Sequence, residues 1–152
     1  MTEINQAIPE EWDRVLSINL TGLFKCMVEA ENWLASNGRI VTLGSMAGHQ
    51  GSFVTGPAYA ASKGGMEGFT KYMASYFASR KITANCIAPG PVDTKMLDVH
   101  DKFKLEERKK IIPLKRFAKA EEIAAAALFL ASEESGYITG TVMPINAGMV
   151  MK

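Results

Sequence analysis

Tyr59 and Lys63 are the residues whose types and spacing could do chemistry. They frame the stretch Tyr59-Ala60-Ala61-Ser62-Lys63, at the expected start of an apolar, small-residue helix. Positions i and i+4 share one helix face, so the Lys63 ammonium can approach whatever the Tyr59 hydroxyl touches. A phenol holds its proton to pH ~10, and a fixed cation nearby favours the phenolate and draws that value toward an enzyme's working range. The pair is a candidate proton donor and acceptor. Taken alone, the same two residues also describe a helix-start aromatic beside a solvated lysine, so the rest of the chain decides between the readings.

The chain has 152 residues, 47% hydrophobic and 22% charged, a single-domain length that can bury a core. A net charge of +1 gives no electrostatic reason to expect a nucleic acid or an anionic membrane as partner. No apolar run approaches the ~18 to 20 residues of a membrane span, and Met1 to Glu10 is polar, without a signal-peptide core. Cys26 and Cys86 lie in apolar segments with no His or Cys at metal-ligand spacing. A reduced, cytoplasmic protein with no metal site is the expectation.

Elements must position the pair. Trp12, Val15, Leu16, Leu20, Leu23, Phe24, Met27 and Val28 recur at helical spacing, predicting a helix from Pro9 to about Leu34. Arg39 to Leu43, β-branched between glycines, reads as a buried strand. Gly44 to Pro57 reads as a loop, followed by the helix of Tyr59 and Lys63, which ends near Arg80. Ile82 to Ala88 is a second strand, stopped by Pro89-Gly90-Pro91. Asp93 to Phe117 is charged, with one or two short helices and a break at Pro113, and Glu121 to Ala131 is an alanine-rich helix with acidic residues at its positive end. Gly140 to Ile145 is a last strand, placed at an edge by Pro144, which cannot donate to a ladder. Strands alternating with long helices predict a parallel sheet in an α/β layered fold of about three strands. The loops after the first two strands then gather on one rim, facing the start of the Tyr59 helix.

With those motifs assembled, the chain resembles the C-terminal part of a short-chain dehydrogenase/reductase, a Rossmann-type oxidoreductase family marked by Tyr-x-x-x-Lys with an upstream serine and asparagine. Tyr59 and Lys63 match the pair, Ser45 in Gly44-Ser45-Met46-Ala47-Gly48 the serine, and Asn19 in Asn19-Leu20-Thr21-Gly22 the asparagine. Asn85-Cys86-Ile87-Ala88-Pro89-Gly90 is similar to the strand and turn that approach the nicotinamide in the family, with Val92 and Thr94 at the positions that touch its carboxamide. Pro113-Leu114-Lys115-Arg116-Phe117, Glu121-Glu122-Ile123 and Tyr137-Ile138-Thr139-Gly140 resemble further family blocks.

The resemblance implies a partial Rossmann fold and NAD or NADP as cofactor, held by Tyr59, Lys63, Pro89, Gly90, Val92 and Thr94. It implies Tyr59 as acid or base while a hydride passes between a small-molecule carbonyl or alcohol and the nicotinamide, with Lys63 lowering the phenol's pKa and holding the ribose. Ser45 would steady the substrate oxygen, and Asn19 would kink its helix and place a water in a proton relay. It also implies a homo-oligomer through helices 9-34 and 59-80, where Ala60, Ala61, Gly64, Gly65 and Gly68 permit close approach.

Departures from the pattern matter as much. The strand, Gly-rich turn and helix that receive the pyrophosphate in the family have no counterpart here, nor has the Asn-Asn-Ala-Gly block. Gly44-x-x-x-Gly48-x-x-Gly51 follows a strand, but its spacing is wrong for a phosphate loop and no acidic residue follows a second strand. Asn146-Ala147-Gly148 stands where the family has Asp-Gly-Gly. Ser52 competes with Ser45, His49 reads as a surface histidine and Cys86 as core. Lys102, Lys104, Arg108, Lys109 and Lys110, interleaved with Asp98, Asp101, Glu106 and Glu107, read as a solvated flap over the substrate. Two functions from different classes follow: an oxidoreductase interconverting a ketone and a secondary alcohol, or a truncated, non-catalytic, oligomer-forming remnant unable to bind the dinucleotide alone. Dinucleotide affinity separates them.

Overall fold

The structure, a computed structural model, describes residues 8–51, 55–95 and 101–151. The competing Ser52 and the acidic Asp98 therefore lie outside the described residues.

Three parallel strands form one sheet in the order β1-β2-β3, with β1 at Arg39–Leu43, β2 at Thr83–Pro89 and β3 at Val142–Ile145. The register runs from Arg39 opposite Thr83 to Leu43 opposite Ile87, and from Cys86 opposite Val142 to Pro89 opposite Ile145. Pro144 sits on the outer strand, where its missing N–H leaves no ladder bond unmade. The other rim is β1 itself. Its last residue, Leu43, is 57% exposed.

The sheet separates two apolar clusters. On one face Ile40 and Ala84 meet Met73 and Ala74 of α4 (Pro57–Tyr76), Phe77 just beyond its end, and Ile82, with Met27, Leu34 and Phe69 packed against them. On the other, Ile87 meets Ile123 and Leu130 of α6 (Ala120–Ala131), with Val41, Ile138 and Ile145 at the periphery. Alternation along β2 sends Ala84 to the first cluster and Ile87 to the second, so every residue from Thr83 to Ala88 is buried.

Helices enter and leave as their sequences direct. Pro9 and Pro57 occupy first helical positions, where a missing N–H costs nothing. α6 opens with Glu121 and Glu122, whose side chain accepts the Lys119 N–H at 2.8 Å. α5 (Lys102–Ile111) begins where the Asp101 carboxylate accepts the Phe103 N–H at 2.7 Å. Along its exposed side charges pair, Lys109 with Glu106 at 2.7 Å.

Four details differ from the sequence expectation. The first helix is α1 (Pro9–Leu16), a wider turn at Ser17–Thr21, and α2 (Gly22–Ala30), ending four residues before Leu34. In that wider turn the Gly22 N–H reaches the Ser17 carbonyl five residues back. Within the expected loop, Ala47–Gln50 forms a one-turn helix, α3. The helical glycines divide: a Cβ on Gly64 would meet the Gly48 carbonyl at 2.9 Å and one on Gly65 would meet Leu20 at 2.7 Å, whereas Gly68 faces open space. Gly64 and Gly65 thus serve contacts inside the chain.

Candidate active site

The site forms at the carboxyl ends of β1 and β2. Beyond Leu43 the Gly44 N–H donates to the Ile87 carbonyl at 2.7 Å and the Met46 N–H to the Pro89 carbonyl at 3.0 Å, so the two strand-end loops are laced together. Gly44 is required there, because a Cβ would lie 2.6 Å from Cys86 Sγ. Ser45, half-buried between these bonds, accepts the Ala47 N–H on its Oγ at 3.2 Å, which leaves its hydroxyl proton free to donate.

Tyr59 and Lys63 lie in the first two turns of α4. Lys63 Nζ donates to the Leu43 carbonyl at 2.7 Å and stands 5.6 Å from the centre of the Tyr59 ring, within reach of its π face. The lysine therefore joins the phenol to the strand end from which Ser45 departs. Burial disfavours its charged form and pulls its pKa below the usual lysine value, outweighing the opposing influence of Cys86.

Asn19 occupies the middle of the wide turn, and its Nδ2 donates to Ser62 Oγ at 3.1 Å. Ser62, fully buried, donates in turn to the Tyr59 carbonyl at 2.8 Å. A chain of two bonds thus runs from Asn19 to the backbone of Tyr59. Sequence reasoning passed over Ser62; the signal available was that a polar Asn19 on an apolar helix face needs a buried partner.

The residues assigned to the cofactor line the turn after β2. Gly90 donates its N–H to the Ile145 carbonyl at 2.9 Å, and a side chain there would meet Asn146 at 3.0 Å. Val92 turns its side chain into the second cluster, while Ala118 bonds the Pro91 carbonyl and the Asp93 N–H, so this bridge leaves Val92's own amide and carbonyl unused. Thr94 is exposed. Tyr59, Lys63 and this turn thus bring a phenol, an amine and backbone polar groups to the carboxyl ends of β1 and β2. The glycines after β1 are poorly placed to cradle a pyrophosphate, because Gly44 packs on Cys86 and a Cβ on Gly48 would lie 2.8 Å from the Lys63 backbone.

One assignment is corrected. His49 is not at the surface: its side chain is 14% exposed and its Nδ1 lies 3.0 Å from Glu67 Oε1, whose side chain is 10% exposed. The sequence hint was an acidic residue inside an apolar helix. Cys86 is core, as expected, and its burial raises the thiol pKa. Among the described residues there is no group of His, Cys, Asp or Glu able to hold a metal ion, and no helix is long and apolar enough to cross a membrane.

The family model described as enoyl-(acyl carrier protein) reductase matches residues 1–150. The chain is 42% identical over 145 residues to the 3-oxoacyl-(acyl-carrier-protein) reductase FabG of Thermotoga maritima, covering 93% of this chain and 58% of that one. A short-chain dehydrogenase/reductase from Serratia marcescens superposes with a TM-score of 0.88 at 34% identity, covering 96% of this chain and 59% of the other. A 3-oxoacyl-(acyl-carrier protein) reductase from Brucella melitensis with bound NAD superposes with a TM-score of 0.89 at 32% identity, covering 98% of this chain and 55% of the other. The chain thus spans little more than half the length of the relatives it matches.

Proposed function

This chain belongs to the short-chain dehydrogenase/reductase family, and from that premise we propose that it carries the catalytic half of an NAD- or NADP-dependent oxidoreductase interconverting a carbonyl and a secondary alcohol. The observation that carries the reading is the Lys63 ammonium, bonded to the Leu43 carbonyl and lying by the Tyr59 ring, so that phenol, amine and the Ser45 turn meet on one rim. In reduction Tyr59 gives its proton to the carbonyl oxygen while Ser45, one of whose lone pairs accepts the Ala47 N–H, donates its hydroxyl proton to the same oxygen and steadies the developing charge. Lys63, 5.6 Å from the centre of the ring, places a cation beside the residue that has given up its proton. Asn19, through Ser62, holds the backbone from which Tyr59 projects. The nicotinamide, when bound, supplies or accepts the hydride; Tyr59, Lys63 and the Pro89 to Thr94 turn would hold its ribose and carboxamide.

The proposal includes the cytoplasm as its setting and a single domain that is the C-terminal portion of a Rossmann unit. Its partner is a second copy of the chain, met through α2 and α4. There Phe24 tilts against Phe69 at a centroid spacing of 6.0 Å, and Phe69, Tyr72 and Tyr76 stack at 6.2 and 5.8 Å, with Phe24, Tyr72 and Tyr76 half-exposed. The rival reading, an oligomer-forming remnant without catalysis, draws support from the glycines that are consumed by packing rather than left for a phosphate.

Titration of the chain with NADH and NADPH, followed by nicotinamide fluorescence, separates the two. The expected result for the chain alone is feeble binding, because none of the described glycine turns cradles the pyrophosphate. Where turnover of a ketone is measurable, Tyr59→Phe should remove most of it with little change in stability, and undiminished turnover would overturn the catalytic assignment.

A further inference from the structure

The oxidoreductase reading gives no role to one buried pair, His49 and Glu67. Glu67 follows Lys63 by four residues as Lys63 follows Tyr59, so all three share one stripe of α4. Two members of that stripe face the candidate chemistry; the third bonds His49, which lies four residues beyond Ser45 on α3. A helix of four residues cannot sustain itself, since ordering an isolated first turn costs more than the few bonds within it return. α3 must therefore be held by what it touches. Its backbone rests on α4 where Gly48 meets Lys63 and Gly64, its start is tied to β2 by the bond from Met46 to Pro89, and its far end is tied to α4 by His49. With Glu67 as a carboxylate the imidazole Nδ1–H donates, and the ring is fixed in one tautomer and orientation.

We propose that Glu67, acting through His49, is a positioning residue that clamps the Ser45 turn against the face of α4 bearing Tyr59 and Lys63. The proposal rests on Ser45 as the substrate-facing hydroxyl, but the clamp itself is readable without turnover. Loss of the pair frees α3 to separate from α4, and the distance from Ser45 to Tyr59 is then no longer set.

Amide hydrogen exchange on the whole chain tests it. The Gly48, Gln50 and Gly51 amides, bonded within the turn, should exchange about tenfold faster or more in Glu67→Ala and in His49→Ala, while the Cys86 and Gly90 amides of the sheet keep their rates. Glu67→Gln, which retains an oxygen to accept the imidazole N–H, should exchange at close to the parent rate. Where turnover is measurable, Glu67→Ala should lower kcat more than it raises KM, and Glu67→Gln should restore it. Unchanged exchange at those three amides, or an equal acceleration at Cys86 and Gly90, would overturn the clamp; should Glu67→Ala not fold, His49→Ala leaves α4 intact and carries the same comparison. If Ser45→Ala keeps full turnover while Glu67→Ala still loosens the turn, the role of Ser45 fails and the clamp stands.

Discussion

Asn85 and Thr83 lie on the same face of the same buried strand, and exchanging each for an apolar residue should move stability in opposite directions. The Asn85 amide, wholly buried, donates to the Ile138 carbonyl at 2.8 Å and accepts the Thr141 N–H at 3.2 Å, stitching the loop before β3 onto β2. Asn85→Leu strips both partners at once. A buried group left unpaired costs about 1 to 3 kcal/mol, so the two together predict a loss of about 2 to 6 kcal/mol, a large share of the ~5 to 15 kcal/mol that holds a domain folded. Two residues earlier, Thr83 Oγ1 is buried with no hydrogen-bond partner among the described residues. Thr83→Val keeps the shape and removes that burden, for an expected gain of about 1 kcal/mol. Urea unfolding followed by the fluorescence of Trp12 and Trp33, at one protein concentration for all variants, measures both by linear extrapolation. A loss under about 1 kcal/mol in Asn85→Leu, or a loss of similar size in Thr83→Val, would refute the assignment of strand energetics to these bonds.

Further perturbations probe packing, burial and charge. Gly64→Ala should destabilise by about 1 to 3 kcal/mol, because its methyl meets the Gly48 backbone, whereas Gly68→Ala, in open space on the same helix, should stabilise by about 0.5 to 1 kcal/mol in the same unfolding assay. A thiol-reactive dye should label the exposed Cys26 in the native protein and the buried Cys86, whose thiol is held protonated, only on unfolding; mass spectrometry of the labelled peptides distinguishes them. Glu122 is held well below its usual 4.5, at about 2, first by the Arg116 guanidinium that grips it at 2.6 and 2.7 Å and then by the Lys119 N–H. A depressed carboxyl stabilises the fold above its unfolded value and loses that contribution as pH falls through the folded one. The Tm gap between the parent and Glu122→Gln should therefore close from pH 4.5 down to about 2, and close further with added salt because the pair is exposed.

The sheet was legible in the sequence because its cause is local. Ile40, Val41 and Thr42 between glycines, the long run from Ile82 to Ala88 and the edge proline Pro144 each have one good place in a parallel sheet. The four motif residues were legible as a set only through their resemblance to the ordered motifs of the family; the order of strands and loops by itself brings the Ser45 turn to the start of the helix that carries Tyr59 and Lys63. What escaped notice depends on partners distant in sequence. Asn19, in the wide turn, bonds Ser62, 43 positions away, and hydrophobic spacing at 3.6 residues per turn carries no mark of that partner. α3 hid in a Gly- and Ser-rich stretch because contacts with α4 hold it, and His49 looked solvated because Glu67 was not read as buried. Gly44 and Gly48 were read as loop residues at the wrong spacing for a phosphate turn, but their use as packing surfaces is visible only once Cys86 and Gly64 are beside them.

The wide turn has a consequence for what the chain can tolerate. One added residue advances a helix by about 100°, so the stripe after Thr21 is out of phase with the stripe before it. Excising a single residue between Ser17 and Thr21 would restore regular winding, yet it would swing Met27 away from the first apolar cluster and carry Asn19 off Ser62 in the same stroke. Length in this segment is thus fixed by two requirements at once, and neither can be relaxed without forfeiting the other.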